Sequence, residues 1–326
     1  MSSSSYLSKT TLYMKTFSFF LLLLLGYAVD AQSQRQKIWL DADTGNEMDD
    51  VFAIVRLLWE HEQLNITGLS SAHFNNADLI AFEKWNQYPT KDIHPVEISQ
   101  ALNEDILQKM GLDRSIPHPI GADRQMGRAW GGFTPRPSPA TEAMMQVINQ
   151  LLPGEKLDIL TLGAVTNVAS LIALDTSVLD KIRVFSLGGG YLQDRQAWNK
   201  NEFNVRCDLN AFDFLLNQIH LDWTLMPIHT IMEYKMDREE VYAKMDEERP
   251  VEQLMEKRWR ETNPQDKTRI LWDLGLVQAY LLPQFSNITM VNVPPENGTH
   301  LIKVFTKVDT AAFSADFWQT LASKRR

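Results

Sequence analysis

The chain of 326 residues carries 44% hydrophobic and 22% charged residues, the balance of a folded body with a sizeable core and not of a disordered or fibrous chain. Its 41 acidic against 32 basic residues leave a net charge of −9, which disfavours nucleic acid or an anionic lipid surface as a partner. The single cysteine, Cys207, excludes an internal disulfide, and no Cys/His cluster has zinc spacing, so a metal here must be held by oxygen.

At the amino terminus Lys9 and Lys15 precede an apolar run from Phe17 to Leu25, and Val29-Asp30-Ala31 offers small residues to a signal peptidase. The run is roughly half the ~20 apolar residues that span a bilayer, so a cleavable signal is expected over residues 1–31, ending near Ala31. Residues 32–326 are then one secreted or periplasmic domain, with no membrane segment after cleavage. The sequons at Asn65, Asn287 and Asn297 matter only in a eukaryotic secretory pathway.

Short apolar strands alternate with amphipathic helices along the rest of the chain. Lys37–Asp41 reads as a strand, Asp49–Glu60 as a helix with Val51, Phe52, Val55 and Leu58 on one side, and Ile66–Ser70 as the next strand. The stretch Gly111–Pro139, rich in Gly, Pro and Arg, has no steady period and reads as a long irregular excursion. Leu157–Leu162, Val184–Leu187 and Trp223–Met226 read as further strands, with helices at Asn167–Leu174 and Ala211–Gln218. Asp237–Asn263 reads as charged, helical and peripheral. The β-α-β order predicts a single-domain α/β fold, a doubly wound and mostly parallel sheet with helices on both faces.

The segment Asp41-Ala42-Asp43-Thr44-Gly45-Asn46-Glu47-Met48-Asp49-Asp50 sits where the first strand hands over to the first helix, and ligands of open α/β sheets bind beyond the carboxyl ends of strands. The helix macrodipole accounts for Asp49 and Asp50 in a first turn, but not for five acids in ten residues. Packed together they repel, and a bound cation relieves that. Ca²⁺ takes six to eight oxygen ligands, whereas Mg²⁺ keeps strict octahedral geometry and its waters.

Two enzyme families share features of this opening. Asp41-x-Asp43 after an apolar strand resembles the haloacid-dehalogenase phosphatases, in which the first Asp would be the nucleophile and the second the acid, but no acidic pair follows a later strand here. Asp41-Ala42-Asp43-Thr44-Gly45 with Asp49-Asp50 resembles the inosine-uridine-preferring nucleoside hydrolases, with a longer spacer, Asn46-Glu47-Met48, than the shortest form of that motif. Further segments follow in that family's order: Ser71-Ala72-His73-Phe74-Asn75-Asn76, Leu162-Gly163-Ala164-Val165-Thr166-Asn167, Gly188-Gly189-Gly190, Glu202-Phe203-Asn204 with Asp208, and Trp272-Asp273.

That resemblance implies a Ca²⁺-dependent N-ribohydrolase acting on a small-molecule nucleoside, and a homo-oligomer, dimer or tetramer. It assigns Asp43, Asp50, Asp273 and the Leu162 carbonyl to the ion, Asp43 also to the general base, and Asp49, Asn75, Glu202 and Asn204 to the sugar. Asn199 or Asn201 fills an Asn position of the family. Glu202 and Asn204, two apart on what reads as an extended segment, can face one sugar together. Asp41, last on its strand, is expected to brace the loop through backbone hydrogen bonds.

Trp272 stands where many members have a His acid, and Trp130 where some have another active-site His. Two aromatics there resemble the purine-specific branch, in which indoles sandwich the base, and a protonated purine gains ~1–2 kcal/mol from a cation–π contact. His73, His118 and His229 are expected to be structural or superficial. A Ca²⁺-dependent nucleoside- or sugar-binding protein without turnover remains the alternative of a different class.

Overall fold

In a computed structural model of the chain, residues 35–75 and 93–325 are described. The expected leader, residues 1–31, lies outside them. Among the described residues no helix is long and apolar enough to cross a membrane.

The chain begins with β1 (Lys37–Ala42), α1 (Asp49–Leu58) and β2 (Asn65–Ser71), followed by α2 (Pro95–Met110), α3 (Pro139–Asn149), β3 (Leu157–Thr161), α4 (Thr166–Leu174) and β4 (Ile182–Leu187). A small hairpin of β5 (Gly190–Leu192) and β6 (Ala197–Asn199) precedes α5 (Phe203–Cys207), α6 (Leu209–Leu216), β7 (Trp223–Met226) and α7 (Ile228–Ile231). Then come β8 (Lys235–Asp237), α8 (Arg238–Lys244), α9 (Pro250–Thr262), β9 (Thr268–Ile270), α10 (Trp272–Leu281), β10 (Ser286–Asn292), β11 (Leu301–Val308) and α11 (Thr310–Lys324).

Seven strands form one sheet in the order β10-β11-β7-β4-β3-β1-β2, parallel throughout except for the β10–β11 pair. The order reverses between β1 and β3: from β1 the chain moves outward to β2, then returns to the other side of β1 at β3. That reversal opens a crevice at the carboxyl ends of these two strands, the place where doubly wound sheets bind ligands. The expected fold class is the observed one.

Alternation along β1 explains why both faces are covered. Ile38, Leu40 and Ala42 point into a core shared with α1, α9, α10 and α11, and Trp39 points into a second core shared with α3, α4 and α6. Full burial of each large apolar side chain contributes about 1.5–3 kcal/mol. The buried polar member of the strand, Asp41, is level with Ser70 on β2 and Thr161 on β3, at the end of the sheet that carries the crevice.

The segment expected to be peripheral is not. α9 buries Leu254, Met255 and Trp259, and sinks two of its charges, Glu252 and Arg258. Glu252 is neutralised by Arg325, and Arg258 reaches the acidic loop. The irregular excursion ends at Ser138, whose hydroxyl and Thr141 exchange the reciprocal bonds of a capping box at the start of α3.

Candidate active site

β1 delivers its carboxylates at different depths. Asp41 is fully buried. Its Oδ1 accepts from Ser70 Oγ at 2.5 Å and from Asn167 Nδ2 at 2.9 Å, and Ser70 Oγ in turn accepts from Trp39 Nε1 at 2.8 Å. Burial pushes its carboxyl up to about 6 despite those donors. Asp41 thus braces the loop as expected, but through its side chain, and a carboxylate so enclosed is not placed as a phosphoryl-accepting nucleophile. The phosphatase reading loses its first residue on this geometry.

Beyond the strand, Asn46 N–H donates to Asp43 O at 2.8 Å and turns the chain, and α1 then starts with Asp49 and Asp50 inside the protein. Asp43 Oδ1 lies against Gly163, where a Cβ would come within 2.5 Å of it, so only glycine fits at this crossing of the β1 and β3 ends. α10 packs on α1 and places Asp273 in its own first turn, where its main-chain N–H donates to Asp49 Oδ2.

Oxygens of Asp49, Asp50 and Asp273 lie within 4.8 Å of one another, all three residues being buried. Asp43 Oδ2, both oxygens of Asp50 and Asp273 Oδ1 are buried without a hydrogen-bond partner. Burial pushes the Asp43 carboxyl up to about 8, with repulsion from Asp49, Glu202 and Asp41 adding to it. Asp50 and Asp273 are driven well above the carboxylate range, by burial first and then by neighbouring charge, that of Asp43 and Asp49 on Asp50 and that of Asp50, Asp49 and Asp43 on Asp273. Orphaned acceptors of like sign in one buried spot are what a divalent cation satisfies, and the all-oxygen donor set fits a hard ion.

The fourth expected ligand, the Leu162 carbonyl, follows β3 and accepts from Asn204 Nδ2 at 2.6 Å. A carbonyl has two lone pairs, so one remains. Asn204 Nδ2 also donates to Leu187 O at 3.3 Å, so both of its hydrogens are committed and only Oδ1 remains for a sugar.

Glu202 also differs from expectation. It is not on an extended run with Asn204 but caps α5, accepting from the N–H groups of Gly189 at 2.9 Å, Asn204 at 3.1 Å and Val205 at 3.2 Å. It thereby holds the Gly188-Gly189 turn, in which Gly189 has φ +65°, against the cavity.

These residues line a cavity of about 300 Å³ whose wall includes Asp43, Asp49, Asp273, Leu162, Glu202 and Asn204. Trp272 lines it, as expected. Two residues that sequence reasoning passed over, Asn46 and Glu47 in the loop spacer, line it too. Its remaining wall, including Leu187, Phe203 and Ile228, is mostly apolar, and of these three only Phe203 fell within a recognised segment. A larger cavity of about 830 Å³ lies between the β5–β6 hairpin and β10, but none of the clustered aspartates reaches it.

Three expected contacts are not made. Trp130 sits 81% exposed in a tight turn closed by Arg128 and Gly131, away from the cavity lining. Asn199 is exposed on β6, where its Oδ1 accepts from Asn201 N–H, and it is Asn201 that lines the cavity. Asn75 gives its amide to Asp123 O at 2.7 Å and also stands outside the lining.

His73 is structural. Thr166 Oγ1 donates to Asp208 Oδ2 at 2.6 Å, so His73 Nε2 donates to Thr166 Oγ1, and His73 Nδ1 accepts from Asn75 N–H. Burial lowers this imidazole to about 4 and keeps it neutral.

A model of the family described as inosine-uridine preferring nucleoside hydrolase matches residues 38–315. Among solved structures, an inosine-guanosine nucleoside hydrolase superposes with a TM-score of 0.65 at 16% identity, covering 88% of this chain and 98% of that one. A plant nucleoside hydrolase does so with 0.64 at 15%, covering 88% and 98%. A purine-preferring ribonucleoside hydrolase from Gardnerella vaginalis gives 0.62 at 16%, again covering 88% and 98%. No curated protein sequence matches the chain. The match spans both halves of the crevice, from β1 to α11, and the chain belongs to the inosine-uridine preferring nucleoside hydrolase family, hydrolases that act on the N-glycosyl bond of small nucleosides.

Proposed function

We propose that the protein is a Ca²⁺-dependent N-ribohydrolase that cleaves purine ribonucleosides to free base and ribose. The observation that carries this reading is the set of buried, unpartnered carboxylate oxygens on Asp43, Asp50 and Asp273 at the reversal point of the sheet. Ca²⁺ is the proposed ion because the donors are carboxylates and a carbonyl in an irregular arrangement, which Ca²⁺ tolerates better than Mg²⁺. When bound, such an ion supplies Lewis acidity toward water and a template for a vicinal diol.

In this reading Asp43, Asp50, Asp273 and the Leu162 carbonyl hold the ion, and Asp49, expected at the sugar, joins them because its carboxylate clusters with those of Asp50 and Asp273. Asp43, wedged against Gly163, faces the cavity with an oxygen free of partners and is the proposed general base, a role worth 10²- to 10⁴-fold. The carboxylates around it oppose the positive charge that grows on the sugar ring as the glycosidic bond breaks. Trp272 forms a wall against the base. Names of two structural neighbours, inosine-guanosine and purine-preferring, support a purine as that base.

Chromatography of inosine, guanosine, adenosine and uridine incubated with the protein, with and without a chelator, tests the proposal. Free base from the purines, abolished by chelation and by Asp273→Ala, is the expected result; tight Ca²⁺-dependent binding with no base released would establish the binding-protein alternative. The leader over residues 1–31 is proposed to direct export, which amino-terminal sequencing of the exported protein tests by a first residue near Gln32.

A further inference from the structure

The spacer of the acidic loop is held by two arginines from the far end of the chain. Arg258 on α9 directs Nη2 at the carbonyls of Thr44 at 3.5 Å, Gly45 at 3.4 Å and Glu47 at 3.3 Å. Arg269 on β9 pairs through Nη2 with Glu47 Oε2 and through Nη1 with Asp266 Oδ2 at 3.0 Å, and its guanidinium carbon lies 5.7 Å from the centre of the Trp272 ring. Met48, next in the spacer, is fully buried and pins the loop from the other side.

The consequence is a sorting of charge. Asp43, Asp49 and Asp50 turn into the cluster, whereas Glu47 turns out of it, to a cation. Its side chain is 36% exposed and lines the same cavity as Trp272. A carboxylate with one oxygen on Arg269 keeps acceptor capacity on the other, and it is fixed on the wall that Trp272 shares. In a nucleoside whose sugar sits at the aspartates, the groups left to meet this wall belong to the base.

We propose that Glu47 is a specificity-determining residue that accepts a hydrogen bond from an N–H donor on the base edge, selecting 6-oxopurines such as hypoxanthine and guanine, and that Arg269 is its positioning residue. The inference rests on the nucleosidase reading. A site built to bond a polar edge rejects analogues that lack it far more strongly than an apolar pocket rejects a missing methylene.

The test compares kcat/KM for inosine and guanosine with that for purine riboside, which lacks the N1–H donor, in the wild type, Glu47→Gln, Glu47→Ala, Arg269→Gln and Arg269→Lys. Expected are losses of roughly 10- to 100-fold with inosine and guanosine but under about 3-fold with purine riboside for both Glu47 variants. Arg269→Gln should shift the same ratio, Arg269→Lys should restore part of it, and Ca²⁺ affinity by calorimetry should stay unchanged throughout. Equal losses on all three nucleosides, or a loss of Ca²⁺ affinity that tracks the loss of turnover, would overturn the assignment. If the wild type releases no base at all, the nucleosidase reading fails by itself. The inference is then read from Ca²⁺-dependent binding: a preference for inosine over purine riboside that Glu47→Gln removes upholds it, and equal binding of the two overturns it.

Discussion

The main-chain N–H of Asp273 donates to Asp49 Oδ2 at 3.2 Å, so the first turns of α10 and α1 meet with their acidic residues facing one another. Each helix end brings its positive dipole to the same spot, which offsets part of the repulsion between the carboxylates. The remainder is left to protons or to a cation, which compete for the same oxygens.

Removing one carboxylate should separate stability from activity. Asp50→Asn is expected to raise the stability of chelator-treated protein by ~1–2 kcal/mol, a Tm rise of roughly 2–8 °C, because one buried like charge is gone. The same variant should lose the Tm increase that Ca²⁺ gives the wild type. Differential scanning calorimetry with and without Ca²⁺ checks both; an unchanged Ca²⁺ response would remove Asp50 from the ligand set.

The pH dependence of the metal-free protein should run opposite to that of an ordinary salt-bridged domain. Folding raises the carboxyl of Asp43 from 3.8 to about 8 and those of Asp41 and Asp49 to about 6, so the folded state binds more protons than the unfolded one. Their stabilising contribution is complete below about pH 4 and is lost as pH rises toward 8. Chelated protein should therefore melt lower at pH 8 than at pH 5, and saturating Ca²⁺ should shrink or invert the difference. A chelated protein that is more stable at pH 8 than at pH 5 would contradict it.

Gly163→Ala places a Cβ within 2.5–2.8 Å of the Asp43 carboxyl. The expected result is a folded protein in which base release from inosine falls ~10²-fold or more, the size of effect that displacing a catalytic group by about 1 Å produces. Circular dichroism and steady-state rates measured on the same sample decide it.

Asn167→Ala should be costly without touching the cavity. Asn167 donates to Asp41 Oδ1 and to Ser71 O and accepts from the N–H of Ala122, so its loss orphans several buried groups at once. A destabilisation of ~2–4 kcal/mol in urea unfolding is expected, at about 1–3 kcal/mol per unsatisfied group. A value below about 1 kcal/mol would mean that water replaces the amide.

Trp130→Ala is expected to leave kcat/KM for inosine within about twofold of wild type, since a surface substitution away from buried features rarely propagates. A tenfold loss would show that the turn at Arg128–Gly131 closes over substrate.

Much of this architecture was legible because its signals are local. Apolar runs such as Lys37–Ala42 and Trp223–Met226 specify buried strands, and the crowding of acids after Asp41 has no inexpensive explanation without a ligand. Less was readable where meaning depends on distant partners. Nothing near Arg258 or Arg269 indicates that their charges serve carbonyls and a carboxylate in the first loop, so the segment between Asp237 and Asn263 reads as surface. Asn204 and Glu202 fit a sugar clamp by residue type, yet neighbouring carbonyls claim Nδ2 of Asn204 and the N–H groups that Glu202 caps claim its carboxylate. The misplacement of Trp130 has a similar origin: a flat aromatic beside glycines suits a pocket wall and a surface turn equally well.

The acidic corner also has a topological meaning. Asp49 and Asp273 are 224 positions apart in sequence. An ion seated between them ties the two ends of that span together and closes a loop, as a covalent staple would. Closing so long a loop removes about 5 kcal/mol of chain entropy from the unfolded ensemble. Stripping the ion should consequently open α10 and the segment after it to proteases before the central strands are cut, so resistance to digestion would report occupancy of the site even where no turnover is measured.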